Sequence, residues 1–221
     1  MRQKKDSLGL NLSYKFLILG DQMVGKTSIL ERYVNNNFKP NYITTIGMDK
    51  RFKRLEINNK DVDVFFTGTA GEERFRSLTK MFYKDADGIF IGFSLTEEKT
   101  LKSINYWVEQ IEQNCNKKGK ELSLVLFGNK CDDKDNIQVK KEDIDEIKEK
   151  YKLAYFETSA KDNINIQNLF EFLIKSTIIN KRDLKSIGLP ENATLDDIKI
   201  NIKENQNLEV VKIKKKKKRF C

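Results

Sequence analysis

No apolar run in this 221-residue chain approaches the roughly 20 residues that a membrane-spanning helix requires. The first residues, Met1-Arg2-Gln3-Lys4-Lys5-Asp6, lead into no long apolar region, so no secretory leader is expected. The three cysteines, Cys115, Cys131 and Cys221, have neither metal-ligand nor disulfide spacing. Scattered thiols in odd number fit a reducing compartment. In such a compartment the glycosylation-like triplets Asn11-Leu12-Ser13 and Asn192-Ala193-Thr194 carry no meaning. Internal repeats are absent too. A hydrophobic content of 38% suffices for a core, and the length favours one domain plus an extra segment.

The body of the chain also lacks a basic surplus. Net charge is +9, but residues 181–221 hold 12 Lys and Arg against 6 Asp and Glu, which puts +6 there. Lys212, Lys214 to Lys218 and Arg219 supply most of it. A nearly neutral body with a basic tail argues against a nucleic-acid-binding domain.

What is present alternates between strand and helix patterns. Asp49–Glu56 and Asp61–Thr67 predict two strands around the turn Asn58-Asn59-Lys60. Gly88–Ser94 and Leu122–Gly128 are almost unbroken apolar runs, suited to strands covered on both faces of a parallel sheet. Between them Leu101, Ile104, Trp107, Val108 and Ile111 recur at helical spacing over Lys99–Gln113, and Trp107 is expected to be core packing. A helix over Glu142–Lys150, a strand over Ala154–Glu157 and a helix over Asn165–Asn180 complete a doubly wound α/β pattern.

Two motifs carry chemistry. Gly20-Asp21-Gln22-Met23-Val24-Gly25-Lys26-Thr27 follows the apolar run Tyr14–Leu19 and opens the helical stretch Thr27 to Asn35, with Ser28 next to the loop. Strand, glycine-bounded loop and helix in that order form a phosphate loop. Its glycines let the backbone close on an anion, and amides at a helix start point at it. Lys26 reaches the β- and γ-phosphates, as binding and catalytic cation, and Thr27 ligates Mg²⁺. The second motif, Asn129-Lys130-Cys131-Asp132, follows the strand Leu122–Gly128. The Asp132 carboxylate can accept from the N1–H and exocyclic amine of guanine, a donor pair adenine lacks. Asn129 can hold the loop, and the Lys130 stem can lie on the ring. Thr158-Ser159-Ala160-Lys161, after the next strand, brings the Ala160 N–H towards the guanine oxygen.

Together these residues resemble the small GTPases of the Ras superfamily over Tyr14 to about Asn180. Within it, Ile46-Gly47-Met48-Asp49, Glu73-Arg74-Phe75-Arg76-Ser77-Leu78 and Phe82-Tyr83-Lys84-Asp85-Ala86 look most like the Rab family. The resemblance implies a P-loop NTPase fold over residues 12–180, GTP/GDP and Mg²⁺ as ligands, and effector, exchange-factor and GTPase-activating partners at the switch regions. It further implies that Phe38 stacks on the guanine, that Tyr42 sits near the phosphates, and that Thr45 joins Thr27 on the metal and senses the γ-phosphate. Gly71, Ser159 and Lys161 would complete the nucleotide contacts.

Departures fall on the hydrolytic machinery. Where the family has Asp-x-x-Gly, this chain has Gly68-Thr69-Ala70-Gly71, so a carboxylate that holds Mg²⁺ through water is missing. Asp61 and Asp63 lie too far back along the strand to replace it. Glu72 stands where the family has the glutamine that orients the attacking water. An ionised glutamate only accepts, and adds negative charge beside the γ-phosphate. Gln22 and Met23 replace residues that are usually small, and Lys50 stands where Rab proteins usually have Phe. Slow hydrolysis is therefore expected. A GTPase-deficient nucleotide-binding scaffold is the alternative, and a P-loop ATPase or kinase is disfavoured by Asp132.

Residues 181–211, polar with Gly188 and Pro190, read as a flexible linker. Residues 212–221 form a polybasic tail ending in Cys221. That ending resembles a prenylated Rab tail, which would hold the protein on the cytoplasmic face of an anionic membrane with a cytosolic pool besides. Rab tails usually end in two cysteines; this one has one. The basic run alone also fits a solvated charge run or a nuclear-import-like patch.

Overall fold

The computed structural model describes residues 12–40, 48–69, 82–115 and 122–202. Among the described residues seven strands form one sheet in the order β6-β5-β4-β1-β3-β2-β7. They are β1 (Leu12–Leu19), β2 (Met48–Ile57), β3 (Lys60–Thr69), β4 (Gly88–Ser94), β5 (Ser123–Asn129), β6 (Ala154–Thr158) and β7 (Ile200–Asn201). Strands β1, β3, β4, β5 and β6 run parallel, so their carboxyl ends share one edge of the sheet. Ligand loops belong at that edge of a doubly wound sheet.

Strand β2 pairs antiparallel with β3 along its whole length, from Met48 opposite Thr69 to Ile57 opposite Lys60. The two strands are joined by Asn58 and Asn59, both at positive φ (48° and 62°). Asparagine tolerates that conformation, and a two-residue hairpin turn demands it.

Among the described residues the sheet is covered by helices α1 (Lys26–Asn35), α2 (Glu98–Lys102), α3 (Ile104–Asn114), α4 (Lys141–Tyr151) and α5 (Ile166–Asn180). The single helix expected over 99–113 is broken at Ser103, whose N–H and hydroxyl both donate to the Lys99 carbonyl, at 3.1 and 3.2 Å. Such side-chain competition for a backbone acceptor bends or interrupts a helix.

The period-2 alternation of the strands sends side chains into two cores. Tyr14, Phe16 and Ile18 face α1 and α5, with Phe66, Phe90 and Phe170. Leu17 and Leu19 face the other way, into a second core with Leu101, Val108 and Ile111 from α2 and α3 and Ile144 and Ile147 from α4. Tyr33 of α1 stacks on Phe170 of α5 with ring centroids 3.9 Å apart, which locks the two helices of the first layer together. Lys53 of β2 is buried in the same layer, and its Nζ donates to the Tyr33 carbonyl at 2.6 Å. That carbonyl lies in the last turn of α1, where backbone acceptors lack helical partners. Burial lowers the Lys53 pKa to about 8.

The flexible linker expected over 181–211 is corrected for residues 181–202, which fold onto the domain. Leu184 and Ile187, on a 3-10 turn closed by Gly188 at φ 78°, are buried in the first core, as is Ile198. Strand β7 then adds to the outer edge of β2, with Ile200 opposite Ile57 and Asn201 opposite Glu56. The hairpin tip fastens it. Asn58 N–H donates to the Lys199 carbonyl at 3.0 Å, and its side-chain oxygen accepts from Lys199 N–H at 2.7 Å. Burying each of the three aliphatic side chains, Leu184, Ile187 and Ile198, contributes about 1.5–3 kcal/mol towards holding the segment in place. Among the described residues no helix is long and apolar enough to cross a membrane.

Candidate functional site

The site gathers at the carboxyl edge of the sheet, from the loops after β1, β5 and β6. The loop after β1 turns on two glycines. Gly20 has φ 141° and Gly25 has φ 96°. A Cβ on Gly20 would lie 2.3 Å from the Gly92 carbonyl oxygen, and one on Gly25 would lie 2.3 Å from Asn129 Nδ2. Neither position admits a side chain, in conformation or in space. Gly25 immediately precedes α1, so the loop presents backbone amides at a helix start.

Within this cradle the Lys26 ammonium is buried, donating to the carbonyls of Gly20 at 2.8 Å and Asp21 at 2.7 Å. Burial lowers its pKa to about 8, against a smaller opposing effect of Asp21. A buried cation beside glycine-lined amides at a helix start fits an anion such as a polyphosphate. Thr27, in the first turn of α1, adds a hydroxyl of the hard-oxygen type that Mg²⁺ prefers. Gln22 and Met23 are exposed at the loop tip, and Ser28 is half-buried.

The base-side loops are fastened to the phosphate loop through Asn129, which is buried at the end of β5. Its Nδ2 donates to the Val24 carbonyl at 2.8 Å, while its Oδ1 accepts from Ala160 N–H at 3.3 Å. Lys130 follows at φ 71°, a left-handed turn that redirects the chain towards Asp132. One Asp132 oxygen accepts from the Ser159 hydroxyl at 2.6 Å, and the other lies 3.5 Å from Lys161 Nζ. The Asp132 side chain is 10% exposed, so its charge is fixed in orientation and little screened.

Two further residues hold the loops. Trp107 packs against the second core as expected, but its indole N–H also donates to Asp21 Oδ1 at 2.9 Å and so braces the phosphate loop. Arg32 of α1 donates to the Ala160 carbonyl at 2.9 Å and the Lys161 carbonyl at 3.0 Å. No local sequence signal marks either role, because both contacts join segments far apart in the chain. Phe38 is half-buried against the first core. Tyr42, Thr45, Gly71, Glu72 and Cys221 lie outside the described residues.

Residues 15–179 match the Ras family. The chain is 34% identical over 196 residues to the Ras-related protein Rab-13 of Bos taurus, covering 88% of this chain and 94% of that one. It is 34% identical over 193 residues to the Ras-related protein Rab-8A of Mus musculus, covering 87% and 91%. The Gallus gallus Rab-8A is 35% identical over 187 residues, covering 85% and 88%.

Proposed function

The chain belongs to the Ras family of small GTPases and is of Rab type, and from that premise we propose that it is a membrane-associated, GTP-dependent switch in vesicle trafficking whose own hydrolysis is slow. The observation that carries this reading is the Asn129 side chain, bonded at once to the phosphate loop at Val24 and to the base loop at Ala160. Anion cradle and base-reading carboxylate are thereby one rigid unit.

Within that unit Lys26 exchanges its loop carbonyls for phosphate oxygens, and its charge is worth more there because the side chain is buried. The amides from Val24 to Ser28 orient the phosphate chain. Asp132, held by Ser159 and Lys161, reads the guanine edge, Lys130 covers the ring, and Phe38 packs against it. Thr27 and Thr45 would hold Mg²⁺, which would neutralise charge on the transferring phosphoryl group.

Slow turnover follows from three residues. Gly68 offers no carboxylate to the water around the metal. Glu72 cannot orient a water as a glutamine amide does, and it repels the γ-phosphate. Gln22 at the loop tip crowds the path of that water. Positioning and electrostatics dominate phosphoryl transfer, so three changes on this machinery act together. Gly68 also keeps open the reading of a nucleotide-binding scaffold without an ordinary GTP/GDP cycle. For the membrane, Cys221 carries a prenyl group and the basic run meets anionic lipid, each basic residue adding about 1 kcal/mol near the surface. Effectors, exchange factors and GTPase-activating proteins meet the switch regions.

Single-turnover GTP hydrolysis by purified protein tests the switch reading. Slow but measurable turnover, raised at least about tenfold in Glu72→Gln, is the expected result. No turnover in either protein favours the scaffold.

A further inference from the structure

We propose that Asp49 supplies, from strand β2, an offset and partial replacement for the carboxylate that Gly68 withholds from strand β3, holding the metal's water shell without restoring full turnover. Asp49 is then a positioning residue for the magnesium-bound nucleotide, an inference that rests on the GTP reading above.

The register places it there. Gly68 lies at the carboxyl end of β3 in register with Ile18, two positions before the phosphate-loop residue Gly20. Its antiparallel partner is Asp49. A Cβ built on Gly68 would meet the Cβ of Asp49 at 3.8 Å, so a carboxylate carried by either residue springs from nearly the same place. Asp49 shares a strand face with Lys53, Leu55 and Ile57, all buried on the α1 side of the sheet. Asp63, a carboxylate farther back on β3, is held by Arg54 at 2.7 Å.

The charge of Asp49 is oriented. Arg51 Nε lies 2.9 Å from its Oδ1, and an Arg51 terminal nitrogen lies 3.2 Å from Glu31 of α1. Glu31 stands one helical turn beyond Thr27, so this acid–base–acid chain runs from the turn that carries the metal ligand to the strand pair at Gly68. Asp49 is 12% exposed, which limits screening. An ionised carboxylate has about four acceptor sites, and Arg51 takes one of them, a terminal nitrogen donating to Oδ2 at 3.4 Å while Nε stands at ion-pair distance from Oδ1. The others remain for waters on Mg²⁺, which keeps most of its water and takes carboxylates readily at second hand.

The test is release of methylanthraniloyl-GDP from full-length protein, followed by fluorescence in magnesium buffer and in chelator. Asp49→Asn speeds release about tenfold in magnesium and leaves it unchanged in chelator. In a Gly68→Asp background, where β3 again carries a carboxylate, Asp49→Asn changes release by less than about twofold. Asp63→Asn removes a carboxylate farther back on β3 but keeps Asp49, and release stays within about twofold of native. Asp49→Glu restores slow release in part. An equal effect of Asp49→Asn in both backgrounds, an effect that persists in chelator, or an Asp63→Asn protein as fast as Asp49→Asn overturns the proposal. If native protein binds the probe in a magnesium-dependent way but Asp49→Asn does nothing, this inference alone falls. If native protein does not bind the probe, the nucleotide reading falls with it.

Discussion

Asn129 Nδ2 donates to the carbonyl oxygen of Val24 at 2.8 Å, across 105 positions of sequence. That bond makes one site out of two loops. Both groups are buried, so losing one partner leaves the other unsatisfied. Asn129→Ala strands the Val24 carbonyl and frees the base loop. It should weaken GDP binding by about 1–3 kcal/mol, one to two orders of magnitude. Calorimetric titration of nucleotide into the stripped variant checks this.

Trp107→Phe keeps an aromatic ring in the second core but removes the donor to Asp21. The expected outcome is a several-fold faster nucleotide release, from the loss of about 0.5–1.5 kcal/mol of loop bracing. Thermal melting of the nucleotide-free protein should change little, and stopped-flow release reads the difference.

The folded C-terminal segment predicts a stability effect far from the nucleotide. Leu184→Ala and Ile187→Ala should each destabilise by about 2–4 kcal/mol in urea unfolding, because each leaves a cavity in the first core. Ile202, 41% exposed beyond β7, is the control. Its alanine variant should change stability by under about 0.5 kcal/mol.

Lys53 gives a pH signature. Its folded pKa is lowered to about 8 from an ordinary 10.5. Between those values the unfolded chain binds more protons, so stability rises with pH through that window and is flat below it for this group. Lys26, also lowered to about 8, adds in the same direction in nucleotide-free protein. Lys53→Met should flatten the rise between pH 8 and 9.5, measured as the urea midpoint at each pH. An unchanged slope would show that Lys53 does not titrate there.

Most of this fold was legible because its signals are local. The apolar runs at 88–94 and 122–128, the Asn58-Asn59 turn and the glycine-bounded loop each fix an element from adjacent residues. The base loop was legible for the same reason, since Asn129, Lys130 and Asp132 sit together after a strand. Contacts that depend on tertiary register were not. The segment at 181–202 has a polar average, and Leu184, Ile187 and Ile198 pack onto a core made elsewhere, so no periodicity announces them. Trp107 read as core because its apolar neighbours set the pattern, while its N–H partner lies 86 positions away. The pairing of Asp49 with Gly68 depends on the hairpin register, which no pattern along β3 alone carries.

The measurement that bears most directly on the account is competition of GTP, ATP and XTP for the purified native protein and for Asp132→Asn. The account expects native protein to take GTP in strong preference to ATP. Asp132→Asn should lose about 1.5–3 kcal/mol for GTP and turn to XTP, because the donor and acceptor pattern at the base edge reverses. Equal native affinity for ATP and GTP, or an Asp132→Asn protein that keeps its full preference for GTP, would contradict it.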